Sequence, residues 1–186
     1  MKSGVFATME VMGAARERIA EVQRWADPRY AGESPPHVTM IGSSGAGPAP
    51  LDTPAARIKE LVAPITSDTP PITVSLERPH RFMQTEIIVL PIDPHGPLRT
   101  LHERIRNCGL QFEQPRFPFS PHVTLSFYPT MTREMERRLT AVRIAEPVRL
   151  ESVKFWRTEE GKGSVMILEL GLLGTADRRS SIVDEE

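Results

Sequence analysis

The tetrapeptide Pro-His-Val-Thr occurs twice in this chain, in "SPPHVTMIG" from Ser34 to Gly42 and in "FSPHVTLSF" from Phe119 to Phe127. An apolar residue follows each copy, Met40 or Leu125, and His122 lies 85 residues after His37. Side chains on a strand alternate between faces, so His37 and Thr39 point one way while Val38 and Met40 point the other. His122 and Thr124 repeat the arrangement over Val123 and Leu125. Each motif offers an imidazole and a hydroxyl to one surface, anchored by an apolar back.

Two such pairs around one small anion suit phosphodiester chemistry. A neutral imidazole takes a proton from an attacking hydroxyl or water, and a protonated one gives a proton to the oxygen leaving on the opposite side of phosphorus. Histidine, with an ordinary pKa of about 6.5, supplies both forms near neutrality. The threonine hydroxyls donate to the non-bridging oxygens, where charge is held during transfer. One His-x-Thr on a strand is a common accident, but two copies with shared flanks and a spacing near half the chain are a strong joint signal. His80, His95 and His102 lack the pattern and read as solvated or structural.

The elements that must position these residues follow from the surrounding pattern. Val5 to Val11 reads as a strand. Gly13 to Trp25 reads as an amphipathic helix, with Ala15, Ile19, Val22 and Trp25 or Ala26 on one face. Pro36 to Ile41 is the first His-bearing strand. Gly42 to Pro50, "GSSGAGPAP", reads as a flexible loop and lacks the GK[ST] ending of a phosphate-binding loop. Thr53 caps a second helix to Ala63, with Pro54 at its first position. Strands follow at Ile72 to Leu76 and Thr85 to Ile92, then a helix from Pro97 to Cys108 that Gly109 ends. After the second His-bearing strand come a helix from Met131 to Val142 and strands from Val148 to Trp156 and Val165 to Leu172, joined by the hairpin turn "EEGKG".

Read this way, strand, helix, His-strand, helix and strand occur once before about Leu76 and again from Thr85, as an internal duplication would give. The expected fold class is α+β: two pseudo-symmetric lobes of antiparallel sheet, helices on the outer faces and a central cleft. Residues 1–174 form one such domain, and residues 175–186, without apolar periodicity, form a mobile tail.

The bulk properties bound the partners. The chain has 186 residues, 39% apolar and 25% charged, with a formal net charge of -1. No global positive field draws it onto long nucleic acid, so a nucleotide ligand must be held by a local site. One cysteine, Cys108, excludes an internal disulfide, and no Cys/His cluster has zinc spacing, which suits a reducing cytoplasm and a chemistry without metal or other cofactor. No apolar run approaches the roughly 18 residues of a membrane span. Neither a membrane nor an obligate protein partner is indicated. The 18 prolines cluster where elements begin or end.

The paired His-x-Thr motifs resemble the signature of the two-histidine (2H) phosphoesterase superfamily, which includes the bacterial RNA 2′,3′-cyclic phosphodiesterases also called 2′-5′ RNA ligases. The resemblance runs from Val5 to Leu172 and is sharpest from Thr85 to Tyr128, through "TEIIVLPI" and "FPFSPHVTLSF". It implies that His37 and His122 are the acid/base pair, that Thr39 and Thr124 bind phosphate, and that the substrate is a nucleotide or RNA end carrying a 2′,3′-cyclic phosphate or 2′-5′ phosphodiester. Two departures bear on the substrate: the first motif runs into glycines where an aromatic is usual, and "SFYP" stands after the second where some members carry an arginine.

Further candidates for the ligand surface are Tyr128, on the strand face of His122, and Arg157 beside Trp156. The pairs Arg81–Phe82 and Arg116–Phe117 are similar. Two other readings stay open: a nucleotide- or RNA-binding module without turnover, and a ligase-type transferase using the same site. The residues do not fix which histidine is acid and which is base, or whether water or a ribose hydroxyl attacks.

Overall fold

The computed structural model describes residues 3–82, 85–127 and 131–174; Tyr128 and the 175–186 tail lie outside them. In chain order the elements are β1 (Gly4–Glu10), α1 (Ala14–Ala26), α2 (Pro28–Glu33), β2 (His37–Ile41), α3 (Ala55–Asp68), β3 (Ile72–Val74), β4 (His80–Arg81), β5 (Ile88–Pro91), α4 (Pro97–Arg106), β6 (His122–Ser126), α5 (Arg133–Thr140), β7 (Val148–Leu150), β8 (Ser152–Glu159) and β9 (Gly163–Gly171). The fold is α+β, as the sequence implies.

Among the described residues seven strands form one antiparallel sheet in the order β4-β5-β6-β2-β1-β8-β9, and β3 pairs with β7 in a small second sheet. The sequence reading sets the two halves in separate lobes whose sheets face across a cleft. Instead the halves join edge to edge: β2 and β6 are neighbours at the middle of the large sheet, paired at Val38 and Val123. The reading also runs one strand from Val148 to Trp156, but the chain leaves the small sheet at Leu150 and enters the large one at Ser152.

Both central strands carry the same irregularity. One step along β1, from Thr8 to Ala7, matches two along β2, from Thr39 to Ile41, so Met40 is an extra residue in the ladder. One step along β5, from Val89 to Ile88, matches two along β6, from Thr124 to Ser126, so Leu125 is extra. Each is a β-bulge directly after the motif threonine, and it turns the next residue, Ile41 or Ser126, onto the buried side.

A bulge strands backbone carbonyls that need partners. Two helices packed beneath the sheet supply them across the halves: Gln23 Nε2 of α1 donates to the Thr124 carbonyl at 2.8 Å, and His102 Nδ1 of α4 bonds the Met40 carbonyl at 2.9 Å. Around these contacts Val38, Met40, Val123, Leu125, Ile19, Leu98 and Leu101 are at most 1% exposed. Each such side chain contributes about 1.5–3 kcal/mol through its burial. Of the two candidates for the end of the α1 stripe, Ala26 packs against the core beside buried Gln23, while Trp25 lies under the Arg138 guanidinium at 4.5 Å.

The glycine-rich stretch after β2 is pinned rather than loose. Gly45 N donates to the Phe117 carbonyl at 2.9 Å, Gly47 N to that of Glu113 at 3.0 Å, and both Arg116 N and Phe117 N donate to the Ser43 carbonyl. A Cβ on Gly47 would sit 2.6 Å from the Glu113 oxygen, and one on Gly45, whose φ is +72°, would strike the His102 ring. Glycine is required there by close approach of two loops. Pro54 is the cap residue of α3, with extended ψ of 139°, and the helix continues through Pro64 to Asp68.

Candidate active site

His37, Thr39, His122 and Thr124 come together on the face of the sheet opposite α1 and α4. All four are half-buried, while Val38, Met40, Val123 and Leu125 behind them are fully enclosed. Antiparallel pairing about Val38 and Val123 sets His37 beside Thr124 and Thr39 beside His122. The two histidines are then diagonal neighbours, about 7–8 Å apart by sheet geometry.

Both rings are oriented in the same way. His37 Nδ1 bonds the Pro35 carbonyl at 2.9 Å, with Ser34 Oγ at 3.1 Å, and His122 Nδ1 bonds the Ser120 carbonyl at 2.7 Å. In each case the acceptor lies two residues upstream, across a proline that holds the preceding residue extended. The Pro36 and Pro121 carbonyls are themselves tied down by Val11 N and Ile92 N. A carbonyl on Nδ1 fixes the proton there and leaves Nε2 to meet a ligand. Pro-His is thus part of the site, a role the motif spacing alone does not reveal.

Burial lowers the pKa of both imidazoles. For His37 the Pro35 carbonyl and then the Glu10 carboxylate oppose that shift. For His122 the Ser120 carbonyl opposes it, and the charges on His37 and His80 add to it. The strands next to the motifs explain the difference. Glu10 is the β1 partner of His37, whereas the β5 partner of His122 is Pro91. Glu10 is held by Lys154 at 2.5 Å and Arg16 at 2.8 Å.

The register also places residues that the sequence reading assigns elsewhere. His80, read as solvated or structural, pairs with Val89 on the face of Thr124 and bears electrostatically on His122. A two-residue strand carries no periodicity that reveals it. Phe82 tilts against the His122 ring with centroids 4.8 Å apart. Trp156 is on the motif face, its Nε1 donating to Thr8 Oγ1 at 2.9 Å, next to Thr39. Arg157 belongs to the other face: it pairs with buried Val5, and its guanidinium reaches toward the Thr53 carbonyl at 3.5 Å. Alternation along β8 admits only one of these two neighbours to the site, and it is Trp156. Ser126, which strict alternation along β6 would set beside Thr124, is turned inward by the bulge toward Asp27 Oδ2 at 3.4 Å. Among the described residues no group of three or more His, Cys, Asp or Glu could hold a metal ion, and no helix is long and apolar enough to cross a membrane.

Two His-x-Thr strands side by side in an antiparallel α+β sheet define a two-histidine phosphoesterase-type protein. The family profile described as the 2′-5′ RNA ligase superfamily matches residues 12–162, and the chain belongs to that family. Solved structures share the fold at low identity. TT0787 of Thermus thermophilus superposes with a TM-score of 0.63 at 18% identity, over 91% of this chain and 98% of that one. E. coli LigT in apo form gives 0.58 at 16%, over 91% and 97%, and LigT complexed with 3′-AMP gives 0.55 at 16%, over 91% and 98%. No curated protein sequence matches the chain significantly.

Proposed function

We propose that the protein is a metal-independent phosphodiesterase acting on a 2′,3′-cyclic phosphate or 2′-5′ phosphodiester at an RNA end or on a small nucleotide. The observation that carries this reading is the Val38–Val123 pairing, which brings two imidazoles and two hydroxyls onto one half-buried patch. LigT has been crystallised with phosphate and with 3′-AMP, which supports a nucleotide phosphate as the ligand here.

In this reading the phosphoryl group lies between His37 and His122, and Thr39 and Thr124 donate hydrogen bonds to its non-bridging oxygens. Both rings are held mostly neutral before ligand arrives, and an anion between them raises their proton affinity. His37, with Glu10 beside it, is the ring that then holds the proton. His122, with Pro91 in the corresponding place and His80 near, stays neutral. For a cyclic phosphate, His122 Nε2 takes the proton of the attacking water, the new P–O bond forms in line, and His37 Nε2–H protonates the departing ribose oxygen. A ribose 5′-hydroxyl attacking in place of water, with the same base and acid, gives ligation at the same site, and cleavage of that linkage back to the cyclic phosphate exchanges the two roles.

A panel of 2′,3′-cyclic nucleotides and 2′-5′ dinucleotides, with product regiochemistry read by chromatography, tests the proposal. Turnover of at least one class, abolished by His122→Ala, is expected. Binding of every member without product would leave a non-catalytic binding module as the correct reading.

A further inference from the structure

A concavity about 380 Å³ in volume opens on the flank of α4, and none of the four motif residues lines it. Its cations are Arg99 and Arg106 of α4 and Arg116 of the loop before β6, and its only acid among the described residues is Glu103. Glu103 is already bonded to Arg99 at 3.1 Å. His102, in the same wall, is pushed toward its neutral form by burial. Among the described residues two guanidinium charges are therefore unmatched.

Each cation is placed by the fold. Arg99 Nε donates to the Pro94 carbonyl at 2.6 Å, and its guanidinium lies 5.9 Å from the Phe119 ring centre. Phe119 stacks on His102 with centroids 3.9 Å apart. Arg116 lies 5.8 Å over Phe117, and its amide is anchored on the Ser43 carbonyl at 3.0 Å. The Arg106 side chain makes no hydrogen bond or ion pair with the described residues. A basic residue in the last turn of a helix complements the helix dipole, which accounts for the position of Arg106 but not for Arg116 turned to the same cavity.

Aromatic rings connect this cavity to the catalytic patch. Phe117, in its wall, meets Phe82 edge-on at 6.1 Å and 87°, and Phe82 in turn tilts on His122. Phe117 and Phe82 are half-buried and Phe119 is buried; guanidinium groups beside partly open rings are how proteins track a single strand, the cations on phosphates and the rings on bases. We propose that the cavity holds a backbone phosphate of an RNA strand whose terminal phosphoryl group lies between His37 and His122. This rests on the phosphodiesterase reading and narrows its substrate to oligoribonucleotides several nucleotides long. The glycines after β2 are what let the Arg116 loop sit close enough to α4 to close the cavity.

The test compares a mononucleotide 2′,3′-cyclic phosphate with an oligoribonucleotide ending in the same group, for the native protein and for the double variant Arg106→Gln/Arg116→Gln. The native protein is expected to prefer the oligomer by about tenfold or more in kcat/KM at low salt. The double variant should raise KM for the oligomer by about tenfold and flatten its log–log salt slope by about 1 to 2, while the mononucleotide changes less than twofold. An unchanged salt slope and KM, or an equal loss on both substrates, overturns the subsite. A further arm measures binding of a 3′-phosphorylated oligomer and of inorganic phosphate by the two proteins. If the native protein turns over neither substrate, the phosphodiesterase reading fails on its own, and this binding arm still decides the cavity. A variant that weakens inorganic phosphate binding but not oligomer binding overturns the RNA assignment in favour of a small-anion site.

Discussion

His37 and His122 occupy halves of the sheet that agree in their backbone and differ in their neighbours. In both, a proline precedes the histidine, the carbonyl two residues upstream holds Nδ1, and a bulge follows the threonine. In both, a helix from the other half reaches under the sheet to satisfy a carbonyl near the bulge. The repeated parts fix geometry. The parts that are not repeated fix charge: Glu10 stands beside His37 where Pro91 stands beside His122, and His80 approaches only the second ring. The proposed acid–base chemistry needs this combination, because identical rings in identical fields would hold or lose their protons together.

The largest break in the symmetry comes from deleting either ring. His37→Ala and His122→Ala are each expected to lower turnover by about 10²–10⁴-fold. The double variant should be little worse than either single one, since the two act as a unit. Single-turnover rates and circular dichroism of the three proteins check this; activity surviving either deletion would remove that histidine from the chemistry. Next in size are Thr39→Val and Thr124→Val. A hydrogen bond to a charged group contributes about 1.5–3 kcal/mol, so each should cost roughly 10–100-fold in kcat. Because each threonine lies beside the other half's histidine, comparable losses are expected; a loss confined to one would mean that a single hydroxyl holds the phosphoryl oxygens.

The repeated half of this design is legible in the sequence because Pro-His-Val-Thr is local: period-2 alternation, proline effects and a shared apolar back all lie within a few residues. The α+β class and most element positions follow from the same kind of pattern. What the sequence hides is pairing between distant segments. Nothing near Val38 says that its partner is Val123 in the same sheet, so side-by-side strands read as facing lobes. The bulges at Met40 and Leu125 look like ordinary alternation until the partner strand is known, and alternation alone would set Ser126 beside Thr124 instead of on the buried side. Arg157 is lost by one position to Trp156 for the same reason. Glu10 and His80 reach the site only through strand register, and Gln23 is a polar member of the buried face of α1 that the apolar period passes over.

The buried supports beneath the two strands offer a third comparison, about 1–3 kcal/mol each. Gln23→Leu leaves the Thr124 carbonyl without its donor, and His102→Phe does the same to that of Met40, so each should lower stability by that amount at about pH 7.5. Acid should then separate them. His37, His102 and His122 all have folded pKa values below the ordinary value of about 6.5, so below that pH the unfolded chain binds more protons than the folded one. Stability is full above about pH 6.5 and is lost as pH falls toward the folded values. His102→Phe should reduce that loss, whereas Gln23→Leu should leave it unchanged. Urea midpoints at about pH 5.5 and 7.5, on either side of the ordinary value, measure both; a steeper acid loss in His102→Phe would contradict the neutral assignment of that ring.

The smallest effect bears most directly on which ring is acid and which is base. The Glu10 carboxylate favours protonated His37, and removing it in Glu10→Gln also leaves the Arg16 and Lys154 cations uncompensated nearby. Both changes act in the same sense: the proton on His37 is lost at lower pH, and the alkaline limb of the kcat/KM profile moves down. A protonated His80 disfavours a proton on His122, so His80→Gln lets His122 protonate at higher pH, and the acid limb moves up. Shifts of a few tenths of a unit correspond to about 0.3–0.7 kcal/mol, the size expected of partly screened charges. The bell should narrow from opposite sides in the two variants and from both in the double variant. The apparent values belong to the coupled pair, so the informative quantity is which limb moves. If Glu10→Gln moved the acid limb and His80→Gln the alkaline one, the two rings would exchange roles, and Pro91 would mark the acid's half of the sheet.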